Sequence, residues 1–98
     1  MALSEEKAEI IKLACSTTLD DADFGSPPID EVILYADGDN VQVAFDNASA
    51  DATTSMPIPK ETIHRIRVNC NKVYALTTTS TANLYIMGIR LNLSLIHI

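Results

Sequence analysis

Ninety-eight residues, 47% of them apolar and 20% charged with a net charge of −6, describe one acidic domain with a single core. A chain of this size buries roughly 60 to 65% of its unfolded surface, too little to divide between two cores. No apolar run approaches the ~18 to 20 residues of a membrane helix, the acidic balance opposes nucleic-acid binding, and Glu5, Glu6 and Glu9 stand where a signal peptide would be basic and then apolar. A protein kept in a cytoplasm, or released from it by lysis, is the expectation.

From the start of the chain, Ser4-Glu5-Glu6-Lys7 can cap a short helix, with Ile10, Ile11 and Ala14 along one helical face. The competing strand, Glu9 to Thr17, alternates Ile11, Leu13 and Cys15 with Lys12, Ala14 and Ser16, and it is preferred because Cys-Ser-Thr-Thr ends a helix poorly. Leu19 to Pro28 holds Asp20, Asp21, Asp23, Gly25, Pro27 and Pro28, which makes it a loop with Phe24 turned to the core. Ile29 to Ala36 and Val41 to Phe45 then read as a β-hairpin closed by Asp37-Gly38-Asp39-Asn40. Within it, Val32-Ile33-Leu34-Tyr35 is an unbroken apolar run, the mark of a strand covered on both faces.

Asp46 to Ser55 is small and polar, and reads as an exposed connection between sheets. Met56-Pro57-Ile58-Pro59 is extended and belongs at a sheet edge, because neither proline can donate to a ladder. From Thr62 a period of two turns His64, Ile66, Val68 and Cys70 inward and Arg65 and Arg67 outward. A turn at Asn69 to Lys72 leads to a strand over Val73 to Thr78, and Thr79-Ser80-Thr81 leads to a last strand over Ala82 to Arg90. In that last strand Leu84 and Ile86 oppose Tyr85, Met87 and Ile89, and the two strands read as a second hairpin. These elements predict an all-β fold: one small antiparallel β-sandwich, jelly-roll-like, or a barrel, of about six strands over residues 1–92. Leu93-Ser94-Leu95-Ile96-His97-Ile98 looks like translated sequencing adapter and is expected to be a non-native tail; the alternative is a continued strand, since Leu91, Leu93 and Leu95 alternate with polar residues.

Little here points to chemistry. Cys15 and Cys70 are too far from a matching ligand pattern for a metal and read as buried free thiols, with a disulfide between them the lesser reading. The aspartates of the 19–28 loop, with Asp37 and Asp39, lack the spacing of a calcium loop. His64 has no nucleophile or acid placed beside it by the sequence. No catalytic, cofactor-binding or metal-ligating residue is therefore expected, and no enzyme. Charge is uneven along the chain: through Asp51 acids dominate, and from Ala52 onward Lys60, Arg65, Arg67, Lys72 and Arg90 face only Glu61. Cross-strand pairing accounts for this, and so does a subunit whose acidic side meets the basic side of the next copy.

Val41-Gln42-Val43-Ala44-Phe45-Asp46, a polar loop, Met56-Pro57-Ile58-Pro59, Lys72-Val73-Tyr74-Ala75-Leu76 and Thr81-Ala82-Asn83-Leu84-Tyr85-Ile86-Met87-Gly88 follow one another in an order that resembles small β-sandwich structural proteins of tailed bacteriophages. The resemblance implies a non-enzymatic virion component, a capsid-decoration or other head or tail accessory protein, assembled in the host cytoplasm through contacts with its own copies or with other virion proteins. It implies no site residues and no cofactor. The alternative is a ligand- or carbohydrate-binding β module, for which exposed tyrosines beside a cleft would be the sign.

Overall fold

The computed structural model describes residues 6–91, so the Ser4 cap and the 93–98 tail lie outside the described residues. Eight strands form: β1 (Glu6–Cys15), β2 (Asp20–Asp23), β3 (Ile29–Asp37), β4 (Val41–Phe45), β5 (Met56–Ile58), β6 (Ile63–Cys70), β7 (Lys72–Leu76) and β8 (Ala82–Leu91). They make two antiparallel four-stranded sheets, a front sheet in the order β1-β8-β3-β6 and a back sheet in the order β2-β7-β4-β5. That order, with six of the seven connections crossing from one sheet to the other, is a jelly roll, so the sandwich expectation holds and the barrel does not. The strand at the N-terminal end is also as expected, running from Glu6 rather than Glu9.

Both anticipated hairpins are corrected. Strand β3 pairs with β6 and β8, while β4 pairs with β5 and β7, so Asp37-Gly38-Asp39-Asn40 carries the chain from the front sheet to the back. Its local chemistry is still that of a tight turn: Gly38 has φ 103°, and Asn40 N–H donates to Asp39 Oδ1 at 2.8 Å. Likewise β7 and β8 lie in different sheets. Alternation explains the error, because a strand of a sandwich turns one face inward whichever sheet it joins. Pairing of chain neighbours does occur between β4 and β5, so the 46–55 stretch connects strands of one sheet and not two. That stretch is mostly exposed, as read from its composition, and Asp51 Oδ1 pins it by accepting from the Thr53 and Thr54 amides at 2.9 and 3.1 Å. The expected 19–28 loop contains strand β2, whose Ala22 is buried against the core between more accessible neighbours.

The core lies between the sheets. Val32, Leu34, Leu84 and Ile86 project into it from the front, and Val41, Val43, Ile58 and Val73 from the back, all of them at most 1% exposed. Each fully buried aliphatic side chain of this kind stabilises the fold by about 1.5–3 kcal/mol. Phe24 and Ile29 pack over Gly88, where an added Cβ would sit 2.7 Å from the Phe24 ring. Three polar groups knit the loops at that end. Arg90 donates from Nε to Pro27 O at 2.7 Å and from a terminal nitrogen to Phe24 O, Asn71 Nδ2 donates to Gly25 O at 2.6 Å, and the Asp46 carboxylate accepts the Asn71 and Lys72 amides. Asn71 alone separates β6 from β7, so the chain changes sheet within one residue at this anchor.

Candidate functional site

The inward side of the front sheet belongs to the core; its outward side is apolar as well. Register places Ile10, Met87, Ile33 and Arg65 side by side across β1, β8, β3 and β6, and the next outward row is Lys12, Tyr85, Tyr35 and Ile63. Ile10 and Ile63, on the two edge strands, are 63% and 72% exposed. Between them runs a shallow groove of about 230 Å³ lined by Ile10, Ile33, Tyr35, Ile63, Tyr85 and Met87. The Tyr35 and Tyr85 rings lie 6.3 Å apart, tilted by 47°, a separation at which aromatic pairs attract. Lys12 Nζ stands 5.6 Å from the centroid of Tyr85.

Charge frames this patch. Arg65 makes a two-point ion pair with Glu31, Nε to Oε2 at 2.6 Å and Nη2 to Oε1 at 2.9 Å. The hydrogen bonds from Arg65 hold the Glu31 carboxyl below its ordinary value, with the positive charges of Arg65 and Arg67 adding to the effect. A second pair, Arg90 to Glu9 at 3.4 Å, crosses β8 to β1. Both join an acid of the first half to a base of the second, so cross-strand pairing absorbs part of the uneven charge seen in the sequence. Lys12 and Arg67 stand on the outward face with Arg65.

The residues considered for chemistry are scattered. Cys15 ends β1 and Cys70 ends β6, both free and at most 2% exposed. Burial pushes each thiol up to about 11, with Asp20 adding to the effect at Cys15 and Asp46 at Cys70, so neither is a thiolate near neutrality. Cys15 lines an open cavity of about 470 Å³ at one end of the sandwich with Ser16, Asp37 and Asn83, and its Sγ points to Leu13 O. His64 faces inward, half-buried, with Nε2 2.8 Å from Thr62 Oγ1. Asp39 is engaged by Ser80 Oγ and the Asn40 amide. Among the described residues no three His, Cys, Asp or Glu side chains converge on a point where a metal ion would sit.

The groove had a signal in the sequence even though no site residue did. Val32-Ile33-Leu34-Tyr35 and Leu84-Tyr85-Ile86-Met87 are each apolar on alternate and intervening positions. Such runs mark strands covered on both faces, and they lie beside each other at the centre of the front sheet. Within one chain only their inward faces are fully covered.

No protein-family model matches this chain, and no curated protein matches it. A solved structure, described in the words that Bacillus endospore appendages form a novel family of disulfide-linked pili, matches with a TM-score of 0.59 and 13% sequence identity, over 88% of this chain and 85% of that one. The two chains share a fold.

Proposed function

We propose that this chain is a non-enzymatic structural subunit that builds an assembly by contact between copies, in the manner of the phage virion components its sequence resembles. The observation that carries the reading is the outward apolar face of the front sheet. Two tyrosines, three isoleucines and a methionine line a groove there, and contiguous exposed apolar surface of this kind marks an interaction site. The shared fold adds support from a second direction, since that solved structure is described as a pilus, an object made of repeated subunits. Its disulfide linkage does not transfer to these cysteines. Cys15 and Cys70 are buried within the sandwich, so folded copies are joined without them.

The Tyr35–Tyr85 pair beside the groove favours a second reading, a ligand-binding module. A sugar, however, needs side-chain donors and acceptors converging around its hydroxyls, and the groove offers only the two tyrosine hydroxyls among six lining side chains. The first reading is therefore preferred. Light scattering after size exclusion, on the full chain over a range of concentrations and at low and high salt, tests it. The expected result is a mass above that of the monomer that rises with concentration. A monomer under every condition removes self-assembly, and a saccharide array would then examine the module.

A further inference from the structure

Among the described residues the two sheets end differently. The back sheet ends in β2, four residues of which three are aspartate, and in β5, three residues with Pro57 inside it and Pro59 just after it. Short strands, charge and proline keep an open sheet edge from pairing with another chain. The front sheet ends instead in β1, ten residues long, and β6, eight, and neither holds a proline or a glycine. The most exposed large apolar side chains described, Ile10 at 63% and Ile63 at 72%, stand one on each of these edges. The ladder between β3 and β6 is regular from Ile63 to Arg67, so this length of β6 turns an unbroken row of backbone donors and acceptors to its open side.

Direction allows the two edges to meet. Each strand in the order β1-β8-β3-β6 is antiparallel to the next, so β1 and β6 run oppositely. A second copy set beside the first, with the same side outward, therefore brings its β1 antiparallel to β6 and continues the ladder. Parity restricts the register: outward Ala8, Ile10 and Lys12 must come opposite outward Ile63, Arg65 and Arg67, since a slip of one residue turns the outward row under. With Ile10 opposite Ile63, Glu9, the partner of Arg90, comes opposite His64, Ala8 opposite Arg65 and Glu6 opposite Arg67. Two apolar side chains cover each other, both acids meet basic residues, and Lys7 opposite Ile66 is left unmatched. A slide of two residues in either direction sets Ile10 opposite Arg65 or Glu61 and parts the isoleucines.

We propose that the β6 edge of one copy takes the β1 edge of a second copy, with Ile10 opposite Ile63, so that the front sheet continues from copy to copy. This deepens the assembly reading and rests on it. The contact is heterologous: each copy keeps one β1 and one β6 edge free, so the product is an extended ribbon or a ring rather than a two-fold dimer. Backbone hydrogen bonds supply the attachment, and the isoleucine pair and the unlike charges set the register. The outward apolar row then runs on from Ile63 of one copy to Ile10 and Met87 of the next.

Cysteine cross-linking of the full chain tests it. Ile10→Cys and Ile63→Cys change exposed positions, the native thiols are buried, and unchanged far-UV circular dichroism confirms that each variant folds. Within one copy the two positions are three strand spacings apart, roughly 14 Å, beyond the reach of a disulfide. Under a mild oxidant, an equimolar mixture of the two variants is expected to form a linked dimer at least roughly tenfold faster than either variant alone, because pairing holds the two thiols at high effective concentration. Ile63→Cys or Ile10→Cys alone linking as fast as the mixture overturns the proposal in favour of like edges meeting. Hydrogen exchange on the unmodified chain gives a second reading: amides over 6–10 and 63–67 should both slow as the protein concentration rises. A mass that grows with concentration while either segment exchanges unchanged overturns the edge contact and leaves self-assembly standing, and a chain that is monomeric throughout overturns both.

Discussion

Gly88 is where a single atom matters most. It sits opposite Val32 on β3 and Glu9 on β1, and its missing side chain leaves the space that the Phe24 ring and Ile29 fill. Gly88→Ala puts a methyl group 2.7 Å from a buried aromatic ring with little room to retreat, so it should destabilise the fold by about 1–3 kcal/mol, read as a fall in thermal midpoint. Glu31 sets an acid response. Its carboxyl is held below the ordinary value of 4.5 by Arg65, so its contribution to stability is complete above that pH and disappears as the pH falls through the depressed value. Glu31→Gln should therefore be less stable than the parent near neutrality, and the gap in urea midpoint should narrow as the pH is taken down through the depressed carboxyl value; a gap independent of pH would mean that packing, not the ion pair, is what the substitution removes. The thiols give a third test. Because Cys15 and Cys70 are buried with raised thiol values of about 11, a thiol reagent at mildly alkaline pH should label neither in the native protein and both in denaturant, followed by mass spectrometry.

Among elements, the turn from β2 to β3 depends on a residue distant in sequence. Arg90 reaches back from β8 to the carbonyls of Phe24 and Pro27, and Asn71 holds Gly25 from the other side. Arg90→Met keeps much of the stem and removes the donors, so it should cost about 1–3 kcal/mol and expose the 24–28 segment, seen as faster hydrogen exchange at the Phe24 amide, which in the parent donates to Asn71 O at 2.8 Å. The same element shows why some strands were legible and others not. β1, β3, β6 and β8 are eight to ten residues long and apolar at alternate positions or throughout, and a period of two needs no partner to be recognised. β2 is four residues, Asp-Asp-Ala-Asp, with one inward side chain. Its composition is that of a loop, and only pairing with β7 makes it a strand.

At the scale of the whole molecule, the proposed self-assembly through the outward groove would make stability a function of concentration. Anything that binds only the folded state stabilises it by mass action, and on the proposed function that ligand is a second copy. The thermal midpoint should rise with protein concentration in the parent and stay level in an Ile10→Lys/Ile63→Lys double variant, whose two changed side chains are the most exposed large apolar groups described. A midpoint independent of concentration in both would remove the front face as a contact between copies.

By itself the sequence determined the class of fold, the buried thiols, the inward face of β6, the edge position of Met56-Pro57-Ile58-Pro59 and the presence of strands apolar on both faces. These follow from alternation, from proline's missing donor and from residue size, all of which act locally. Which strands are neighbours was decided only in three dimensions. Ile29 to Asp37 and Val41 to Phe45 are four residues apart in the chain and lie in different sheets, because β3 finds its ladder with β6 and β8, far along the sequence. Pairing is a contest among all strands for the same backbone donors and acceptors, and a turn motif constrains only its own four residues. The candidate face came from that contest too, since Ile10, Ile33, Ile63, Tyr85 and Met87 belong to four different strands and become one surface only when the front sheet is assembled.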